Sequence, residues 1–183
     1  MKKGMLLAIG LITGVIAFSQ DRIFTRKAEI SFYSKAPLED IEAHNKAAVS
    51  VLDKGTGQVE FSVLMKGFEF AKALMQEHFN ENYVESDKYP KATFKGKITD
   101  MSKVKFGTEG SYTVPVSGQL TLHNVTKDVN AGATITIKSG AVSGHTELTI
   151  TLEDYNIKIP AVVKDKISKT VKVVVNSNYE NMK

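Results

Sequence analysis

Residues able to carry chemistry are sparse in this chain and poorly arranged for it. There are four histidines (His44, His78, His123 and His145), 20 acidic residues and no cysteine. Without cysteine there is no thiolate nucleophile, thiolate metal ligand or disulfide. No two histidines stand at i, i+4, and Glu77-His78 lacks the second histidine of a metalloprotease helix. Ser143-Gly144-His145 reads as a hairpin turn, and no G-x-S-x-G nucleophile elbow occurs. Lys54-Gly55-Thr56-Gly57 lacks the spacing of a phosphate loop and reads as a tight turn between strands. Glu39, Asp40 and Glu42 cluster in a polar stretch, where a solvated loop accounts for them. Asn124-Val125-Thr126 matches a glycosylation acceptor, a pattern short enough to recur by chance. The reading is a protein that is not an enzyme, with no metal and no cofactor.

What the chain has in quantity is apolar residues at strand spacing. Ile30 and Phe32 alternate with polar neighbours, and Val49 and Val51 lead into the Lys54–Gly57 turn. Beyond it Val59, Phe61, Val63 and Met65 share one face. Ala92, Phe94 and Ile98 form another strand. Tyr112, Val114, Val116, Leu120 and Leu122 mark a long one. A run begun at Val129 passes Ala131, Ala133 and Ile135 to Ile137, Leu148 and Ile150 follow, and Val171, Val173 and Val175 end the series. Between these strands the period changes once. Phe68, Ala71, Leu74, Met75 and Phe79 recur at three and four, which predicts one amphipathic helix at about 68–80 with Phe70 off its stripe. Ser34 to Asn45, with Pro37 and three acids, reads as a loop.

These elements predict an all-β fold of about eight antiparallel strands. A single twisted sheet of that size tends to close on itself, which removes its edges. An eight-stranded barrel has room for packed side chains or for one slender ligand. The chain of 183 residues suits one domain, over 20–183.

The first 19 residues stand apart from that domain. Lys2 and Lys3 precede an apolar run from Met5 to Phe18, and Ala17 and Ser19 supply small residues for cleavage before Gln20. This is the layout of a secretory signal peptide. The run would span about 21 Å as a helix, short of the roughly 30 Å hydrocarbon core. The expected location is therefore periplasmic or secreted, with no integral membrane span after cleavage. Removing Lys2 and Lys3 leaves 22 basic and 20 acidic residues, a net of +2. Lysines scattered at that balance make a solvated surface and no nucleic-acid footprint.

Several stretches, taken in order, resemble the YceI-like family of exported bacterial proteins. Tyr89-Pro90-Lys91-Ala92-Thr93-Phe94 resembles its strand entry, and Tyr112 to Leu122 its long Gly-x-Leu-Thr strand. His123-Asn124-Val125-Thr126-Lys127-Asp128-Val129 resembles the following turn, with Asn124 and Asp128 in place of the usual Gly and Pro. Glu153-Asp154-Tyr155-Asn156-Ile157 resembles a later charged-aromatic element, whereas Asp21 to Ser31 lacks the family's opening pattern. The resemblance implies a lipocalin-like barrel holding a polyisoprenoid or other long-chain amphiphilic lipid, and it leaves a homodimer open. It also implies that the apolar faces line a cavity. On β-strands the lining would be Phe61, Val63, Met65, Phe94, Ile98, Val114, Val116, Leu120, Leu122, Ile135, Leu148 and Ile150; on the helical segment, Phe68, Leu74, Met75 and Phe79. From their periodicity alone the same faces suit a packed core, a solid barrel serving as an interaction or stress-response module. The helix stripe likewise suits either a plug for one end or a contact surface for a ligand.

Overall fold

The computed structural model describes residues 21–181; the expected signal segment, 1–19, lies outside them. The strands are β1 (Arg22–Lys35), β2 (Asp40–Asp53), β3 (Gln58–Leu64), β4 (Glu69–Phe70), β5 (Lys91–Ile98), β6 (Gly110–Leu122), β7 (Val125–Lys138), β8 (Ala141–Thr151) and β9 (Thr170–Asn181). Eight of them close a ring in the order β1-β9-β8-β7-β6-β5-β3-β2, and β2 returns to β1, every pairing antiparallel. The two-residue β4 adds to β2 at Ala43 and His44. The predicted all-β, lipocalin-like eight-stranded barrel is therefore the fold.

Its two ends differ. At one end the β2–β3 turn, the 99–109 connection and the β7–β8 turn meet a tight cluster that includes Ile23, Leu52, Ile98, Val104, Val114 and Ile137. Met101 and Phe106 pack against that cluster from the connection. Gly57 is part of the closure: its φ of +74° suits glycine, and a Cβ there would lie 2.5 Å from Met101 Sδ. The other end gathers the β1–β2 turn, the 65–90 excursion, the β6–β7 turn and the 152–169 connection.

Three local readings change. Ser34 to Asn45 is the end of β1, a turn and the start of β2, not a loop. Its inward residues include Ser34, Ala43 and Asn45, too small or too polar to advertise a buried face. In the same strand Ala48, Ser50 and Leu52 are buried while Val49 is exposed, so the valine at 49 sits on the outer wall. Ser143-Gly144-His145 lies within β8, and the turn is at Ser139 and Gly140, both with positive φ. The helix is present but shorter, α1 at Ala73–His78, continuing into a wider turn at Phe79–Tyr83. Phe68 and Phe70 precede it in extended backbone, where i and i+2 share a face, which is why Phe70 lies off the helical stripe.

Candidate functional site

Inward faces of the strands enclose a cavity of about 590 Å³. Fifteen of the sixteen expected lining residues border it. Phe61 and Val63 of β3, with Met65 just beyond, form one wall. Phe94 and Ile98 of β5 and Val116, Leu120 and Leu122 of β6 form the next. Ile135 of β7 and Leu148 and Ile150 of β8 continue it round the ring, and Phe68, Leu74, Met75 and Phe79 border it from the excursion. Val114 is the exception. It is 1% exposed, belongs to the closed-end cluster and is core rather than wall.

Local geometry sets the wall. Gly96 of β5 pairs with Gly118 of β6, and a Cβ on Gly118 would lie 2.5 Å from Gly96 Cα. The ring of Phe94 lies across this pair, since a Cβ on Gly96 would fall 2.5 Å from its Cζ. An aromatic ring thus covers the bare backbone and presents its other face to the interior. At the excursion, Phe32, Phe68, Phe70 and Phe79 form an aromatic cluster with ring centroids 5.1–5.7 Å apart. Those spacings suit offset and edge contacts between rings.

Sequence reasoning missed part of this wall. Phe32, Leu52, Val59, Phe70 and Tyr83 also border the cavity, and so do Val171, Val173 and Val175 of β9. Most of these stood in recognised strands, and their alternation was the available signal. Ile157, Val163 and Ile167 of the 152–169 connection border it too. They lie in irregular backbone with short 3-10 turns, which has no period to read.

The charged groups of the wall gather at one end. Glu39, Lys72, His78 and Lys166 border the cavity at the end opposite the tight cluster, which makes that end the mouth. Lys72 Nζ lies 2.9 Å from Glu39 Oε1 and so ties the start of α1 to the β1–β2 turn. Leu38 N–H donates to Asp165 O at 3.0 Å and Ser168 N–H to Ser34 Oγ at 2.9 Å, joining that turn to the 152–169 connection. Deep in the barrel the Tyr179 hydroxyl and Ser50 Oγ are 3.0 Å apart, and burial pushes the Tyr179 phenol up. His145 also borders the cavity, from β8, with Nδ1 2.8 Å from Asn176 Oδ1. β7 and β8 pair only from Ala133/Thr146 to Lys138/Ala141, so towards the mouth they part, with Ala131 and Leu148 bordering the cavity on either side.

Among the described residues no group of three or more His, Asp or Glu is placed to hold a metal ion. None of their helices is long and apolar enough to cross a membrane. His123 does not join the cavity. Its Nδ1 lies 3.0 Å from Tyr155 O and its Nε2 2.8 Å from Glu85 Oε2, binding the β6–β7 turn to two covering segments.

A closed eight-stranded barrel with an apolar interior and one polar mouth defines a lipocalin-like container. The model of the YceI-like domain family matches residues 22–179, and the chain belongs to that family. No curated protein sequence matches the chain. Among solved structures, a polyisoprenoid-binding domain from Saccharophagus degradans implicated in plant cell wall breakdown is similar at a TM-score of 0.77 and 17% identity, over 90% of this chain and all of that one. BcnA of Burkholderia cenocepacia follows at 0.67 and 17%, over 84% of this chain and 96% of that one. The YceI protein of Campylobacter jejuni gives 0.52 and 16%, over 100% and 99%. At these identities the likeness is one of fold.

Proposed function

We propose that this protein is an extracytoplasmic, periplasmic or secreted, binding protein that holds a polyisoprenoid or similar amphiphilic lipid in its barrel. The observation that carries the reading is the apolar cavity of about 590 Å³, within the usual range of ligand sites. A solid interaction module has no use for that space. Support for the ligand class comes from the family and from the Saccharophagus degradans relative, described as polyisoprenoid-binding. Support for export comes from the pattern of Lys2 to Ser19.

The physics favours binding over catalysis. Twelve methylenes taken from water contribute about 10 kcal/mol. Several kcal/mol of that is offset by lost freedom of the ligand. The remainder suffices for tight retention with no polar contact to the tail. The carboxylate and ammonium groups that border the cavity, Glu39, Lys72 and Lys166, stand at the mouth, where they can meet a headgroup.

The test is extraction of natively purified protein with organic solvent, followed by mass spectrometry. A near-stoichiometric long-chain lipid is expected. A clean extract, together with no uptake of an added polyprenyl chain, would sink the reading.

A further inference from the structure

We infer that the mouth of the barrel is a docking face for an anionic membrane surface, with the 158–169 segment as its leading edge. The inference rests on the reading that the cavity takes lipid, and it names the surface with which that lipid is exchanged.

Besides Leu64 on the outer face of β3, three large apolar side chains stand exposed at this end, each from a different segment that covers the mouth. Val162 is 90% exposed, Leu38 71% and Leu74 61%. Their segments are tied to one another. Leu38 N–H is bonded to Asp165 O, and Lys72, two residues before Leu74, is paired with Glu39. Neither Val162 nor Leu38 borders the cavity, whereas Val163 beside Val162 does. The apolar tip Pro160-Ala161-Val162 therefore points away from the protein while its next residue faces the interior. A short 3-10 turn holds it, with Val163 N–H donating to Pro160 O at 3.0 Å.

Charge selects the partner. Lys158, Lys164, Lys166 and Lys169 flank this tip and all are exposed, against one acid, Asp165. Apolar side chains flanked by lysines are the arrangement that enters the headgroup region of a bilayer, the lysines staying at the level of the phosphates. Lysines in that position favour anionic lipid. An apolar guest also needs such a contact. Leaving the cavity through water would expose its whole tail, and a mouth pressed on a membrane lets it pass directly into hydrocarbon.

The test is co-sedimentation of the lipid-loaded protein with two kinds of vesicle, one of pure phosphatidylcholine and one containing phosphatidylglycerol. Binding to the anionic vesicles alone is expected, falling at high salt. The double variant Leu38→Asp, Val162→Asp should lose at least about tenfold of it. Lys158→Gln and Lys164→Gln should each lose roughly fivefold. Val49→Asp, an exposed valine on the outer wall, should change nothing. Lipid content measured on the same preparations keeps the two readings apart, because the mouth variants should retain cargo. Absent cargo with intact vesicle binding would count against storage and leave docking standing. No binding to anionic vesicles, equal binding to phosphatidylcholine, or binding that survives the double variant overturns docking. So does a dimer that the double variant splits while no vesicle is bound, which would give this face to a second copy of the chain.

Discussion

Two residues that look alike in sequence, Val114 and Phe61, do different work. Val114 sits in the closed-end cluster, 1% exposed, and does not border the cavity. Val114→Ala should cost roughly 2 kcal/mol, read as a lower urea midpoint at unchanged slope. Phe61 borders the cavity, so its ring is only partly packed by protein. Phe61→Ala should cost well under the ~3–5 kcal/mol of a packed phenylalanine while speeding loss of bound lipid. A full core penalty at Phe61 with unchanged retention would mean that the barrel works as a solid. Asn45 is a third kind of residue, 1% exposed and hydrogen-bonded through both ends of its amide. Its Nδ2 donates to Leu64 O at 3.0 Å and its Oδ1 accepts from Ala47 N–H at 2.9 Å, so it fixes the start of the excursion to β2. Asn45→Ala strands both backbone groups and should cost about 1–3 kcal/mol by the same urea measurement.

At the scale of elements, the strands with large inward residues were legible and those with small ones were not. β3, β6 and β7 announce themselves through Phe61, Leu120 and Ile135 and their alternating neighbours. Much of β2 hides because Ala43, Asn45, Ala48 and Ser50 make up most of its buried residues. The excursion misled for the opposite reason. Its phenylalanines fit two periods at once, and pairing of Glu69 and Phe70 with β2 decides for the extended one. Most of the cavity wall could be read from alternation, but its emptiness could not, because hollow and solid barrels require the same pattern. The β2–β3 turn is plain in the sequence, and its anchor is not. Asp53 accepts from Thr56 N–H at 2.9 Å and Gly55 N–H at 3.0 Å, and Arg22 Nε lies 3.2 Å from its other oxygen. These bonds, the Thr56 amide foremost, hold its carboxyl below the ordinary value near 3.8. A depressed carboxyl stabilises the fold above its unfolded pKa, and that contribution is lost as pH falls through the folded value. Asp53→Asn should therefore lower stability near neutrality and flatten its decline below about pH 4, as followed by urea unfolding at several pH values.

For the whole molecule, cargo and stability are linked. A lipid that binds the folded barrel and not the open chain adds about 2.7 kcal/mol at a hundredfold excess over Kd. Stripping the protein and reloading it with a polyprenyl alcohol should raise Tm by roughly 5–10 °C, measured by calorimetry. An unmoved Tm on reloading counts against occupancy of the barrel. The unequal ends carry a further consequence. Met101, Val104 and Phe106 seal one end, so the barrel is a blind well and not a tube. Whatever enters does so from the mouth end, over the rim or through the parting of β7 and β8, and leaves the same way. Depth then works as a gauge. Guests are ranked by how far their tails reach towards the floor at Tyr179, while the part left at the rim is free to vary.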